Sequence, residues 1–489
     1  MRILITITLL LTAAISFGQI KFVNLYSDSG DDYGHGIVQL EDSSYMVTGS
    51  SSSFGDFGSQ AFLMHIDSMG NYLWSNAYGG SENDIGRRVM YKKNDGFYVA
   101  GYTNSMGNGA YDFYLFKTDV SGALVWENTY GGSGWERVYD AALTRDTGVI
   151  MVGETSSTFD ENVDIYIVRT DNAGDTLWTK KIGGGGEDRL NAITQYDDST
   201  FYVCGSTYIA DSGYVKGLVM KINDYGDVLW ADTAMRVGDN ILYDIDIVDN
   251  QNELLTIGSA EGPASDQIDD WMVRYDISNS HAYITNWTSP QAGIQWFAHI
   301  TDYGDGANRY TGIQYLNAST YQSGIAGGVG QYASNMAGIG WGAVINHPLN
   351  DVFNDLIPTS DGGAVLVGST DGEAVGLNHC LVVKIGPNAD FPVAPLPSVL
   401  NQLVSIPVVN GEDDGLQVFP NPASTELQII TSFNSIVDVR LRDQAGRLVY
   451  ESSMVNDLLV DVSLFENGIY YLETQVDGVV SVRKVMVSH

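Results

Sequence analysis

Short apolar runs separated by glycine-bearing polar turns fill residues 21–386, a pattern that predicts many short strands. The clearest stretch gives four of them, at 85–91, 97–103, 113–118 and 123–129. Phe113-Tyr114-Leu115-Phe116-Lys117 is too apolar for a strand with one wet face, so its sheet is expected to be covered on both sides.

The pattern is periodic. Trp74, Trp126, Trp178 and Trp230 stand 52 residues apart, each closing a motif Asp/Asn-x-x-Gly-x-x-x-Trp that begins at Asp67, Asp119, Asp171 or Asn223. Gly70, Gly122, Gly174 and Gly226 sit where these hairpins call for positive φ. A second glycine, inside a strand, recurs at Gly49, Gly101, Gly153, Gly205, Gly258, Gly312 and Gly368, with spacings of 52, 52, 52, 53, 54 and 56. Seven such markers divide the 366 residues from 21 to 386 into units of about 52. Four antiparallel strands repeated seven times predict an all-β chain folded as a seven-bladed β-propeller over 19–386. Phe22, Tyr26, Asp32 and Gly34 precede Trp74, Tyr78, Asp84 and Gly86 by one period, so the chain begins with a fourth-strand equivalent. The last unit stops after its third strand, at 381–385, and the N-terminal strand is expected to complete it and close the ring, which removes exposed sheet edges.

Composition agrees. A chain of 489 residues exceeds a single core, and 29 Tyr, 55 Gly and 9 Trp beside only 17% charged residues favour strands and turns over long surface helices. The formal charge of −36, from 24 basic and 60 acidic residues, argues against a nucleic-acid partner, because phosphate binding takes clustered Lys and Arg. It permits calcium without calling for it, and no cofactor is indicated. Residues 1–18 read as a secretory signal peptide, with an apolar run from Ile3 to Phe17 and Ser16-Phe17-Gly18 before Gln19. No other stretch approaches the roughly 20 apolar residues of a bilayer span, and no Cys follows the run to carry a lipid, so no transmembrane segment is expected. Cys204 and Cys380 fall in different units and are expected to be buried free thiols.

Residues 387–415, with Pro387, Pro392, Pro395, Pro397 and Pro407, read as an extended linker. Beyond it, residues 416–489 alternate apolar and polar positions as a small immunoglobulin-like β-sandwich does.

Three sets of residues carry candidate chemistry. Asp32, Asp84, Glu136, Asp188 and Asp351 stand 17 residues before the marker glycine, with Gln295 at the same offset. In a ring they would converge on the axis as oxygen ligands for a cation or a polyhydroxyl ligand, or else accept turn amides between blades, which is the simpler reading. His65, Lys117, Arg169, Lys221, Arg274 and Lys384 share another repeat position and are expected to lie between blades beside carboxylates. The least regular stretch, 287–341, concentrates Trp296, Tyr303, Tyr310 and Tyr315, aromatic platforms suited to stacking on sugars. No His-Glu-x-x-His, Cys-x-x-Cys, Gly-x-Ser-x-Gly or phosphate loop occurs, so nothing positive points to catalysis.

Tyr78-Gly79-Gly80-Ser81 and Tyr130-Gly131-Gly132-Ser133, followed by Asp84 or Glu136 and the Trp turn, resemble the bacterial SBBP β-propeller repeats. That resemblance implies a fold and an extracellular setting without a shared activity, and it fades after Trp230. Phe419-Pro420-Asn421-Pro422, Leu441 to Arg447, Gly468-Ile469-Tyr470 and Lys484-Val485 resemble the type A C-terminal sorting domain of the Bacteroidota type IX secretion system. This second resemblance implies the secretion machinery as a partner and a secreted or outer-membrane-surface address. The expected function is glycan or protein binding at the cell exterior. A polysaccharide-active hydrolase and a structural surface-coat module are the alternatives.

Overall fold

The computed structural model of the protein describes residues 21–487 except 28–29, 55–57, 146, 158–161, 235, 249–251, 262–267, 290–294, 303–308, 317–325, 334–338, 346–350, 372–376, 388–399, 403–415, 420–424, 432–436, 444–446, 456, 464, 466–467 and 477–478. The signal-peptide reading and most of the linker lie outside the described residues. Every regular element described is a strand.

Six sheets are four-stranded and antiparallel, each formed by four strands consecutive in sequence. The second of them runs Asp84–Lys92, Gly96–Thr103, Asp112–Thr118 and Leu124–Tyr130, within one residue of the sequence expectation. The seventh sheet joins Asp351–Pro358, Ala364–Thr370 and His379–Ile385 to the N-terminal strand Phe22–Ser27, which pairs antiparallel with His379–Ile385. Leu400–Gln402, inside the expected linker, adds a parallel strand to the outer edge of Phe22–Ser27. The first strands of successive sheets pack on one another, and Asp351–Pro358 packs back on Asp32–Gln39. This is a β-propeller arrangement.

The sheets are held face to face. Met46, Leu63, Val89, Val99 and Phe116 share one core between the first and second sheets. The core joining the last sheet to the first contains Phe22, Tyr26, Ile37, Phe62, Val365 and Val382. These faces explain why third strands such as Asp112–Thr118 are apolar on consecutive positions: both faces are buried. Cys204 and Cys380 are buried free thiols.

Two turn devices repeat along the outer edge. Gly122 holds φ at +83°, and a Cβ there would lie 2.5 Å from Trp74 Cη2 of the preceding sheet. The Tyr78 hydroxyl donates to the Gly122 carbonyl at 2.6 Å, and Asn76 Nδ2 donates to the same oxygen at 3.0 Å. Tyr130 repeats the contact at Gly174. Tyr26 and Asn24 repeat it at Gly70, both at 2.6 Å, so the N-terminal strand clasps the first sheet as its period-mates clasp theirs.

The cations of the third strands mostly bind inside their own sheet, a correction to the expected position between blades. Lys117 reaches Asp95 at 2.7 Å and Lys384 reaches Asp361 at 2.9 Å, both across the turn between first and second strands, and Arg274 pairs with Glu253. Arg169 does bridge sheets, to Asp224 at 3.1 Å.

The C-terminal strands form a three-stranded and a four-stranded sheet. Leu427, Ile429 and Val460 of one share a core with Val439, Leu441, Leu472 and Val485 of the other.

Candidate functional site

Each of the seven first strands breaks register at one place, between Gly34/Gly36, Gly86/Arg88, Val138/Asp140, Leu190/Ala192, Leu242/Asp244, Phe297/His299 and Phe353/Asp355. A bulge leaves one residue unpaired and re-aims its side chain. The skipped residues are His35, Arg87, Tyr139, Asn191, Tyr243, Ala298 and Asn354, and all seven line one cavity of about 470 Å³. That volume falls within the roughly 300–1,000 Å³ of small-molecule sites. The bulge also explains the marker glycine. A Cβ on Gly49, Gly101, Gly153, Gly205, Gly258 or Gly368 would collide with the backbone carbonyl two residues before the bulge.

In the second to seventh sheets the residue after the bulge forms a second layer of the cavity, in which three aspartates alternate. Asp140 accepts the Ile193 N–H at 2.9 Å, Asp244 the Ile300 N–H at 2.8 Å, and Asp355 the Ile37 N–H at 3.0 Å. Each thereby fastens its own sheet to the next. Between them stand Arg88, 3.1 Å from Asp355 and 3.5 Å from Asp140, and His299, whose Nδ1 is 2.8 Å from Asp244. Burial alone would lower the His299 pKa, but Asp244 beside it, helped by Asp355, raises it to about 9, so the imidazolium is the resident form at neutral pH. Burial pushes the Asp140 carboxyl up, and Arg88 opposes this. The acidic layer is thus satisfied by backbone amides and by two half-buried cations, Arg88 and His299.

The other end of the cavity differs. Arg87 donates to His35 Nδ1 at 3.4 Å, and burial, then Arg87 itself, holds the His35 pKa well below its usual value, so that ring is neutral. Arg189 lies two residues before its bulge, and its buried Nε has no hydrogen-bond partner. Among the described residues neither Arg87 nor Arg189 has a carboxylate within ion-pair distance. Tyr139 donates to Glu154 at 2.7 Å, while Asn191 and Asn354 reach carbonyls of neighbouring sheets, Leu242 and Gly34, at 2.6 and 2.8 Å.

Asp32, Asp84, Glu136 and Asp188 sit three residues before their bulges and do not line this cavity. Asp84 accepts the Gly80 N–H at 2.8 Å and the Ser105 hydroxyl at 2.9 Å, Glu136 the Gly132 N–H at 2.9 Å and the Thr155 hydroxyl at 2.5 Å, and Asp188 the Gly184 N–H at 2.9 Å. Asp32 is buried and accepts from Ser53 at 3.1 Å and from Ser51. Asp351 begins its strand at the same register. Among the described residues no group of three or more His, Cys, Asp or Glu is arranged to hold a metal ion.

Of the aromatic candidates, Trp296 occupies the register position of Arg189 and of Val352, two residues before its bulge, and pairs with Tyr315 on the next strand. Tyr310 stands at the far end of that strand, opposite Asp302 and Tyr332. Tyr303 lies outside the described residues. In the C-terminal unit, Phe419 ends the strand Leu416–Phe419, Gly468 opens the strand Gly468–Val476, and Lys484 pairs with Tyr471. Tyr470 is buried in the shared core, with the Phe465 ring 5.2 Å away, and Pro420, Asn421 and Pro422 lie outside the described residues.

Residues 417–488 match the family described as the secretion system C-terminal sorting domain. The tail indicates export by the type IX secretion system, to the cell surface or the medium. No helix among the described residues is long and apolar enough to cross a membrane. No curated protein sequence matches the chain. Among solved structures it is similar to PorZ, a surface component of the type IX secretion system of Porphyromonas gingivalis, at 13% identity and a TM-score of 0.39 over 96% of this chain and 60% of that one. The chain therefore spans about 60% of that protein's length. It is also similar to the β-propeller domain of the Trilobed protease from Pyrococcus furiosus, at 8% identity and a TM-score of 0.39 over 75% of this chain and 94% of that one. A puromycin hydrolase gives 12% identity and a TM-score of 0.46 over 83% and 59% of the two chains.

Proposed function

We propose that the protein is a saccharide-binding receptor of the cell exterior, a closed seven-bladed propeller that takes its ligand in the axial cavity. The observation that carries this reading is the ring of seven bulges, which turns seven side chains of unlike chemistry into one cavity while the layer beside it holds the sheets together. A packing device repeated for stability alone would favour the same residue in every unit. Here His, Arg, Tyr, Asn, Tyr, Ala and Asn occupy it. Phenol, amide and guanidinium groups around a cavity of this size suit a polyhydroxyl ligand, and Trp296, two residues before its bulge, supplies an aromatic residue at the register of cavity-lining Arg189.

In this proposal residues 1–18 are the removed signal peptide, 19–386 the SBBP-type ring, 387–415 the linker and 416–489 the type A sorting unit, which leaves the ring displayed on the outer membrane or released. Glycan-array binding of the full-length protein tests it. Binding is expected to fall with Asn191→Ala and Tyr243→Phe while both variants still unfold in one cooperative transition, Asn191→Ala at a somewhat lower midpoint because it loses its bond to the Leu242 carbonyl. Saccharide binding indifferent to both substitutions would overturn the axial site.

A further inference from the structure

Resting on that axial reading, we propose that the bound saccharide is acidic, with its carboxylate held by Arg87 and Arg189. The argument begins with charge. The chain has 24 basic against 60 acidic residues, so a cation left without a carboxylate needs a reason. Arg88 and His299 have theirs in the aspartate layer. Among the described residues Arg87 meets a neutral imidazole and no ion-pair partner, and Arg189 keeps a buried Nε with no acceptor, its charge felt by Glu154 without an ion pair between them. An unsatisfied buried donor on a charged group keeps its desolvation penalty unrelieved, and a bound carboxylate is the group that relieves it.

The placement fits as well. The two arginines come from the second and fourth sheets, at the bulge and two residues before it, whereas Asp140, Asp244 and Asp355 lie one residue past it. The cavity is therefore polarised along its length: two guanidiniums outside any ion pair toward one end, with Glu154 beside Arg189, and ion-paired carboxylates toward the other. An acidic sugar has the matching polarity, with a carboxylate for the guanidinium fork and hydroxyls for Tyr139, Asn191 and Tyr243. The cationic end also attracts such a ligand in a protein that otherwise repels anions.

The test is calorimetric titration of the full-length protein with trisaccharides of galacturonic, glucuronic and mannuronic acid, each against the neutral trisaccharide of the same linkage. At least one acidic member is expected to bind at least about tenfold more tightly than its neutral counterpart. Arg87→Gln and Arg189→Gln are each expected to lose about tenfold to a hundredfold of that affinity, the worth of one charge-assisted contact. Arg189→Lys should fall between, since it keeps the charge and loses the fork. Unfolding midpoints certify that each variant is folded. Neutral and acidic members binding alike, with both glutamine variants unaffected but Asn191→Ala weakened, would overturn the carboxylate inference and leave the axial site standing. Acidic binding that survives both arginine substitutions would place the anion elsewhere and overturn it too. Binding of none of the six would overturn both readings.

Discussion

Asp355 accepts the backbone N–H of Ile37 at 3.0 Å, and the two residues are 318 positions apart in the chain. The contact is the same one that Asp140 makes to Ile193 and Asp244 to Ile300 between neighbouring sheets. The join between the last sheet and the first is thus built like the interior joins, with Arg88 and His299 sharing the same carboxylate.

Asp355→Ala should therefore be among the most damaging single substitutions in the ring. It strands the buried Ile37 N–H and takes one of two carboxylates from Arg88, which keeps Asp140, and from His299, which keeps Asp244, a loss of about 1–3 kcal/mol. Asp355→Asn keeps one acceptor and should lose less. Urea unfolding followed by tryptophan fluorescence measures both. A stability for Asp355→Ala within about 1 kcal/mol of the parent would mean that other contacts carry the closure.

The N-terminal strand makes the second half of that join. Removing residues 21–27 uncovers His379–Ile385, a strand whose seven residues are all buried, and leaves its backbone edge open. The truncated protein should self-associate in sedimentation velocity at concentrations where the parent does not. Tyr26→Phe is the milder version. Asn24 still donates to the Gly70 carbonyl, so the cost should be about 1 kcal/mol and match that of Tyr78→Phe.

Much of this was legible from sequence, and the limits have a physical cause. Period and glycine placed the strands of the second sheet within one residue, because buried two-faced strands and positive-φ turns leave local signatures. The bulge leaves none. One extra residue re-aims the strand, so Asp84, Glu136 and Asp188 turn onto amides of the turns that precede their strands while residues three further on line the cavity. The same slip affects Gly312, which pairs with Ile300; Gln314, opposite Phe297, holds the marker place in the sixth sheet. A signal for the aspartate layer was present. Asp140, Asp244 and Asp355 precede Gly153, Gly258 and Gly368 by 13, 14 and 13 residues, in alternate units.

His299 gives the ring a pH dependence whose sign is fixed by its partners. Its pKa is about 9 in the folded protein against an ordinary value near 6.5, so the stabilisation is fully present below about 6.5 and is lost as pH rises through about 9. Urea midpoints measured between pH 6 and 9.5 should fall in the parent and stay flatter in His299→Gln. A parent curve as flat as the variant's would rule out a charged His299 in the folded ring.

Gly122 tests the outer clasp in the same quantitative way. Two constraints meet there: a φ of +83° and a Trp74 ring 2.5 Å from where a Cβ would lie. Gly122→Ala should cost about 1–3 kcal/mol, since the added methyl meets both strains. Trp74→Ala removes the ring but not the φ requirement, so Gly122→Ala introduced into that background should cost less, though still something. The double-mutant cycle separates the two causes. An undiminished cost in the Trp74→Ala background would assign the whole constraint to backbone conformation, and the conserved spacing of Trp and glycine across the period would then need a reason other than their contact.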